Sequence, residues 1–342
     1  MKKFLSIVVL ILAAMSLAVP AVQAEELSFA LSSNAPATFW THARAGTVIA
    51  EQELGVQVEF YMPPGGSVEE QKRFVETMLA KGVDGIALSV IDPENMTPFL
   101  NEIVAEVPLV LTDSDAPNSN RLAYVGMSNY AAGRMAGEAI KGQLPDGGEI
   151  GIFVGMIDAQ NAIERRQGII DELKGLPYAA QYPGEMTPAE PNIQAGKWVI
   201  LDTRTDNVDE SRAKANAEDL LVKNPGVDLM IGLWGYNTPA IISALGDAEK
   251  LGEIKIVGFD EDVTVLQGIK DGYVAGTVVQ NPFEYGRKSI EVLYKLAKGE
   301  DAGIPEDKLI DVPARYITKD QVDEFMVTIE KQLKIGEANA QK

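Results

Sequence analysis

Polar and aromatic side chains directly follow several short apolar segments of this sequence. Asp113 follows PLVLT, Trp234 follows LMIGL, Asp260 follows IVGF and Gln280 follows VAGTVV, while SSNAPATFW (32–40) follows the first apolar segment. Carboxylates, amides and guanidinium groups form paired hydrogen bonds with hydroxyl groups, and flat aromatic rings suit apolar C–H faces. A sugar presents both surfaces, so the pattern predicts a sugar-binding site. The candidate stacking rings are Phe39, Trp40 and Trp234, and the candidate hydroxyl-binding residues are Asp113, Arg165, Asp260 and Gln280.

Each of these residues also has a simpler structural explanation. An Asp after a strand is often a helix cap or a turn residue. Trp40, at the head of an amphipathic helix, can be a core residue, and Arg165 can pair with a surface carboxylate such as Glu164. Asp113 and Asp260 could also be the two carboxylates of a glycosidase, an alternative that their spacing leaves open. The hypothesis of a binding site therefore rests on the agreement of several segment ends.

Short β-rich segments alternate with longer amphipathic ones along the chain. The candidate strands are Leu27–Leu31, Gln57–Tyr61, Gly85–Val90, Leu109–Thr112, Ala123–Gly126, Ile150–Val154, Trp198–Leu201, Leu229–Leu233, Ile254–Phe259 and Tyr273–Val279, with a less regular segment over Leu309–Ile317. Candidate helices include Trp40–Glu53, Val68–Lys81, Tyr130–Gly142, Ile163–Lys174, Asp209–Lys223 and Thr238–Leu251. This alternation predicts an α/β fold of two doubly wound parallel-sheet domains. Ligands bind at the carboxyl ends of such strands, where the polar residues lie.

The N-terminus has the pattern of a secretory signal peptide. Lys2 and Lys3 precede an apolar segment (4–19), and Val22-Gln23-Ala24 provides small residues at a cleavage site. We therefore expect residues 1–24 to be removed near Ala24. The chain has no cysteine, which excludes disulfides, thiolate metal sites and a lipid-attachment cysteine. The expected location is the periplasm.

Several other functions are disfavoured by composition and by motif. The formal net charge of −20 disfavours nucleic acids and anionic membranes as partners. The single histidine, His42, has no Cys partner for metal ligation, and the acid-rich segment 202–210 lacks the glycine and terminal Glu of a calcium loop. No phosphate-binding, dinucleotide-binding or Ser/His/Asp pattern is present, so we expect no cofactor, no metal and no catalysis.

Six segments together carry a family resemblance. They are VDGIALSVIDP, VPLVLTDSDAP, YVGMSNYAAGRMAG, ERRQGI, IVGFD and DGYVAGTVVQNP, in this order and spacing. Over about 27–318 the chain resembles periplasmic sugar-binding proteins of the ribose-binding type, the solute receptors of ABC importers. The resemblance implies two similar α/β domains joined by three hinge strands (periplasmic binding protein type I). The implied domains are 25–127 plus 281–311 and 128–280 plus 312–342.

The resemblance also assigns individual residues. Phe39 and Trp40 match the aromatic pair after the first strand, Asp113 the acid that ends the fourth strand, Arg165 the arginine of Arg-x-x-Gly, and Asp260 and Gln280 the acid and amide of the second domain. Asn34 would replace a polar contact in a first loop that is one residue shorter. Two departures stand out: Ser114 follows Asp113 where the ribose receptor has an arginine, and Trp234 stands where it has an asparagine. A pentose, a hexose or a sugar alcohol therefore stays open.

The resemblance implies a protein that binds a monosaccharide in an interdomain cleft and delivers it to the membrane permease of an ABC importer. A monomer is the default expectation. One alternative is a receptor of the same fold for a nucleoside or signalling molecule, feeding a sensory protein. A lactose-repressor-like regulator would need a helix-turn-helix before Leu27, where we predict only the signal peptide. A secreted hydrolase would rest on the paired acids alone.

Overall fold

The computed structural model describes residues 26–178 and 186–340, so the predicted signal peptide lies outside the described residues. The strands are β1 (Ser28–Ser32), β2 (Gln57–Tyr61), β3 (Gly85–Leu88), β4 (Leu109–Thr112), β5 (Ala123–Gly126), β6 (Gly148–Val154), β7 (Ile193–Ala195), β8 (Trp198–Thr205), β9 (Leu229–Gly232), β10 (Lys255–Phe259), β11 (Gly276–Val279), β12 (Leu309–Asp311) and β13 (Arg315–Ile317). The helices are α1 (Thr38–Leu54), α2 (Val68–Lys81), α3 (Pro93–Glu106), α4 (Asn129–Gln143), α5 (Gln160–Lys174), α6 (Glu210–Lys223), α7 (Asn237–Asp247), α8 (Val263–Asp271), α9 (Pro282–Lys298) and α10 (Val322–Ala338).

The strands form two sheets. The first has the order β12-β5-β4-β3-β1-β2 and is parallel throughout. The second has the order β13-β11-β10-β9-β6-β8-β7, with antiparallel pairing only at its edge strands β13 and β7. We call the first sheet with α1, α2, α3 and α9 the first lobe, and the second sheet with α4 to α8 the second lobe. The predicted fold of two parallel-sheet α/β domains is confirmed.

Both faces of each sheet are buried. Along β4, Val110 packs into one apolar cluster of the first lobe, while its neighbours Leu109 and Leu111 pack into another. Along β10, Ile256 and Val257 likewise belong to different clusters of the second lobe. Successive side chains of a strand point to opposite faces, so a strand covered by helices on both sides needs an unbroken apolar sequence. This is why the strand segments are continuously apolar and end abruptly in polar residues.

Element bounds agree with the sequence pattern for β2, β4, β5 and α2 and differ from it for other elements. Helix α2 has the predicted bounds, and its predicted capping box is present: the Ser67 hydroxyl accepts from the Glu70 N–H, and the Glu70 carboxylate accepts from the Ser67 N–H, both at 3.3 Å. Strand β8 extends to Thr205, four residues beyond its predicted end, because it keeps pairing with β6 as far as Val154. The segment 309–317 forms two strands that belong to different sheets.

The chain passes between the lobes three times, at 127–128, 280–281 and 312–314. Helix α10, which follows the last passage, contacts both lobes. Val322 and Phe325 pack into the second-lobe core, whereas Gly336 lies so close to α1 that an added Cβ would come within 2.1 Å of the Thr41 carbonyl oxygen. The sequence predicts that residues 312–342 belong to the second domain. The contact between Gly336 and Thr41 joins this segment to the first lobe as well. None of the described helices is long and apolar enough to span a membrane.

Candidate ligand-binding cleft

A cleft of about 580 Å³ lies between the two lobes. Its first-lobe wall includes Asn34, Asp113, Ser114, Asp115, Arg121, Tyr124 and Asp307, its second-lobe wall includes Asn129, Tyr130, Asn161, Glu164 and Arg165, and Gln280 lies at a passage between the lobes. Four of the predicted site residues, Asn34, Asp113, Arg165 and Gln280, therefore line one cavity. The carboxyl ends of strands position Asn34, Asp113 and Gln280 there, as expected for open parallel sheets. Arg165 lies on α5.

Asp113 leaves the end of β4 in a left-handed backbone conformation, with φ of 61°. Its N–H donates to the Val125 carbonyl oxygen (3.2 Å), and the Tyr124 hydroxyl donates to the Asp113 carbonyl oxygen (2.8 Å). The carboxylate accepts from the Ser89 hydroxyl at 3.2 Å. The next strand therefore fixes the backbone of Asp113, and Ser89 orients its carboxylate into the cleft.

The electrostatic surroundings of Asp113 disfavour its ionised form. Burial raises the pKa of Asp113 from 3.8 to about 6; the hydrogen bond from Ser89 and the positive charge of Arg165 oppose this shift, and the negative charge of Asp260 adds to it. A carboxylate with few partners in a desolvated position is ready to accept hydrogen bonds from ligand hydroxyl groups.

Trp40 and Phe39 lie behind the cleft surface. Trp40 is 2% exposed in the first-lobe core, and its indole N–H donates to Asn34 Oδ1 at 3.0 Å, while the Asn34 amide lies 3.5 Å from Asp113 Oδ2. Phe39 is partly exposed and packs edge-on against Trp40, with 5.2 Å between ring centroids. A fully packed ring cannot offer a face to a sugar, so Trp40 is a core residue. Its indole N–H holds the side chain of Asn34 in place.

Asp260 in the second lobe has the same kind of backbone as Asp113. Its φ is 65°, its N–H donates to the Val278 carbonyl oxygen, and the Thr277 hydroxyl donates to the Asp260 carbonyl oxygen, both at 2.8 Å. The Gln280 amide donates to Asp260 Oδ1 at 3.1 Å, and the Gln280 Oε1 accepts from the Tyr285 hydroxyl at 3.4 Å. Asp260 is not among the described residues that line the cleft; it orients Gln280, which does line it and is held at both ends.

Glu261 follows Asp260 and has an unusual environment. Its Oε2 atom is buried and has no hydrogen-bond partner among the described residues. Burial and the adjacent charge of Asp260 raise the pKa of Glu261 to about 8, so this side chain is mainly protonated at neutral pH.

Arg165 is buried in the second-lobe wall, with 3% of its surface exposed. It donates from Nε to Asn129 Oδ1 (3.0 Å) and from an Nη to the Leu233 carbonyl oxygen (2.7 Å), and its guanidinium lies 4.8 Å from the Phe259 ring centroid. Glu164 instead accepts a hydrogen bond from Gln160. The alternative of a surface ion pair between Arg165 and Glu164 is therefore wrong, and Arg165 presents a positive charge to the cleft.

Trp234 packs inward rather than lining this cavity. Its indole N–H donates to Asn161 Oδ1 at 3.0 Å, and its ring lies where a Cβ on Gly155 would be. Its backbone N–H donates to Asn237 Oδ1, while the Asn237 amide donates to the buried carboxylate of Asp206 at 2.8 Å. Gly155 has no side chain and so leaves space for the indole. An inspection of the residues that follow strands does not reveal this space. Trp234 thus orients Asn161, a cleft residue.

Sequence reasoning missed several cleft residues. Ser89, which orients Asp113, directly follows β3 and could have been found by the same strand-end rule. Asn129, which holds Arg165, begins α4 immediately after a passage between lobes. Asp115 lies in VPLVLTDSDAP, a segment that carries the family resemblance, but it was not among the predicted site residues. Within the described residues, no group of three or more His, Cys, Asp or Glu is arranged to hold a metal ion.

Comparison with known proteins identifies the family. Residues 28–301 match the family model described as a periplasmic binding protein domain. The chain belongs to this family. The resemblance inferred from sequence is thereby confirmed, and so is the prediction of a binding protein rather than an enzyme.

Individual family members are distant in sequence but similar in structure. The D-ribose/D-allose-binding protein of Pseudomonas aeruginosa is 24% identical over 257 residues, which cover 72% of this chain and 74% of the relative. GanP, a glucose-galactose binding protein from Geobacillus stearothermophilus, is 26% identical with a TM-score of 0.72, covering 86% of this chain and 98% of its own. A solute-binding protein of an ABC transporter from Burkholderia graminis, solved in complex with D-arabinose, is 25% identical with a TM-score of 0.72, covering 86% and 96%.

Proposed function

We propose that this protein is the solute receptor of an ABC importer and binds a monosaccharide in the cleft between its lobes. The observation that carries the proposal is that Asp113 of the first lobe and Arg165 of the second line a single cleft. Asp260 is joined to this cleft through Gln280, a lining residue whose amide donates to Asp260 Oδ1. The sugar-binding names of the relatives support it. A pentose, a hexose and a sugar alcohol all offer the hydroxyl groups that this site requires.

Each residue of the site has a chemical role in this proposal. Asp113 and Asp260 accept hydrogen bonds from sugar hydroxyl groups, and Arg165 donates to a ring or hydroxyl oxygen. Asn34 and Gln280 carry amides, which donate and accept at once. Phe39 is partly exposed but packs against the first-lobe core, so in this proposal it supports the cleft wall from behind. A ligand that lacks one of these hydroxyl groups leaves a buried polar group unpaired, which is the basis of specificity.

The cellular setting completes the proposal. The signal peptide 1–24 is cleaved near Ala24 and the protein acts as a monomer in the periplasm. The domains are 25–127 plus 281–311 and 128–280 plus 312–342, and the three passages between them act as a hinge. Closure around the sugar produces the surface that the membrane permease binds.

A thermal-shift screen of residues 25–342 tests the proposal. A ligand at 100 times its dissociation constant stabilises the native state by about 2.7 kcal/mol, which corresponds to a shift of a few degrees. We expect a shift with one class among pentoses, hexoses and polyols, and a smaller shift for Asp260→Asn. Shifts only with nucleosides or amino acids would contradict the assigned chemistry and favour the alternative of a receptor that feeds a sensory protein.

A further inference from the structure

The loop after Asp113 carries a second carboxylate into the cleft wall. Asp115 Oδ1 accepts from Arg121 Nε at 2.5 Å, and Asp115 Oδ2 accepts from Arg121 Nη2 at 2.6 Å. Both residues line the cleft, and Arg121 is 7% exposed, with its guanidinium 5.9 Å from the Tyr124 ring centroid. A bidentate pair packed on an aromatic ring is held in one orientation.

Asp115 and Arg121 each retain hydrogen-bonding capacity beyond the bonds that join them. Asp115 Oδ1 accepts a second bond, from the Ala116 N–H at 2.8 Å, so its two lone pairs are occupied. Oδ2 accepts only from Arg121 among the described residues and retains one lone pair. A guanidinium carries five N–H groups, of which Asp115 receives two. The edge of the pair therefore offers an acceptor next to donors, and this combination matches a hydroxyl group, which both donates and accepts.

The charges around the pair select against acidic ligands. Because Arg121 neutralises Asp115, the pair gives neither an ammonium nor a carboxylate a net attraction. Asp113, Glu164 and Asp307 also line the cleft, so an acidic ligand would meet several like charges.

We infer that Asp115 is a specificity-determining residue, positioned by Arg121, that binds a further hydroxyl group of a neutral sugar beside the one bound by Asp113. The inference rests on the proposed function and deepens it, because it adds a hydroxyl-binding residue to the site and disfavours acidic sugars. The loop Asp113-Ser114-Asp115 then supplies two carboxylates to one face of the sugar.

The test begins with wild-type protein and a defined panel: D-ribose, D-allose, D-arabinose, D-glucose and D-galactose, with D-glucosamine and D-galacturonate as charged counterparts. Isothermal titration gives the dissociation constants. For the neutral sugar that binds best, we expect Asp115→Asn to weaken binding about 10- to 100-fold, the usual effect of losing a charge-assisted hydrogen bond. We expect galacturonate to bind more weakly than galactose, its neutral parent.

The matched control is Asp219→Asn, which removes the acid of another ion pair, with Arg204 at 2.6 Å, away from the cleft. It should change affinity less than about twofold. A double-mutant cycle tests whether Arg121 acts through Asp115: Arg121→Gln should weaken binding in wild type but have little further effect in Asp115→Asn. If Asp115→Asn does not fold, the double variant Asp115→Asn/Arg121→Gln, which removes both buried charges, gives the same comparison with wild type.

The outcomes separate the two levels of the proposal. If wild type binds none of the neutral sugars, the proposed function fails and the inference fails with it, before any variant is made. If wild type binds one of them and Asp115→Asn has a lower melting temperature but unchanged affinity, the pair only fastens its loop and the inference is overturned, while the proposed function stands.

Discussion

Asp113 and Asp260 leave their strands in the same backbone conformation, with φ of 61° and 65°, and each donates its N–H to a valine carbonyl on the next strand, Val125 or Val278. A side-chain hydroxyl of that next strand donates to the carbonyl oxygen of each acid. Asp is among the few residues that adopt the left-handed region readily. The two lobes thus use one local arrangement to turn a carboxylate from the strand end towards the cleft.

The variants Asp260→Asn and Asp260→Ala should differ from each other in folding stability, and both should bind the sugar more weakly than wild type. Asn tolerates a left-handed backbone, whereas Ala is expected to cost about 1 kcal/mol of folding free energy there. Removing the carboxylate should weaken sugar binding by about 2–4 kcal/mol, since hydroxyl groups are left unpaired. Urea unfolding and titration calorimetry of both variants measure the two effects. Wild-type affinity in Asp260→Asn would exclude this residue from the site.

Asp113→Asn should stabilise the unliganded protein at neutral pH while weakening sugar binding. Because the folded pKa of about 6 lies above the ordinary 3.8, wild type loses stability as pH rises from about 4 to 6. The variant lacks this loss, so it should exceed wild type by about 1–3 kcal/mol above pH 6, at about 1.4 kcal/mol per pKa unit. Unfolding curves from pH 4 to 8 measure the difference, and a difference that does not change with pH would contradict the raised pKa.

Glu261→Gln should also stabilise the protein, but over a different pH range and without loss of affinity. The folded pKa of about 8 lies above the ordinary 4.5, so the advantage of the variant should grow between those pH values and stay constant above pH 8. The buried, unpartnered Oε2 is the reason. Differential scanning calorimetry from pH 5 to 9 is the measurement. Equal pH profiles for variant and wild type would show that Glu261 ionises normally.

Gly336→Ala should loosen α10 from the first lobe. The added Cβ would lie 2.1 Å from the Thr41 carbonyl oxygen, so the helix must shift, and overpacking of this kind costs about 1–3 kcal/mol. Gly142→Ala is the matched control, since this helical glycine has no atom within 4 Å of its added Cβ and should gain up to about 1 kcal/mol. Chemical unfolding compares them. If both variants gain stability, the close approach of α10 to α1 does not exist.

The strand-end rule predicted Asp113 and Gln280 at one cleft, where the structure places both. Asp113, Asp260 and Gln280 follow continuously apolar strands, and in a parallel sheet the carboxyl ends of such strands meet at one edge. Nothing beyond local sequence was required. The same rule applied to Ser89 would have added the residue that orients Asp113.

The aromatic half could not be predicted in this way. Whether a ring faces a cleft or a core depends on what packs behind it, and local sequence does not contain that information. Trp40 is buried by distant parts of the first lobe, and Trp234 turns inward because Gly155, which directly follows β6, leaves room. Helix α10 illustrates the same limit, since its position across both lobes depends on contacts such as that of Gly336 with Thr41.

The opposing placement of Asp113 and Asp260 has a consequence for the empty protein. They belong to different lobes, and the charge of Asp260 already raises the pKa of Asp113. If the lobes closed without a sugar, water would leave and the repulsion between two bare carboxylates would grow as the local dielectric constant fell. Hydroxyl donors of a cargo molecule remove that penalty. In the proposed function, these two carboxylates would therefore also keep unloaded receptors open, so that the importer would seldom be occupied by a partner with nothing to deliver.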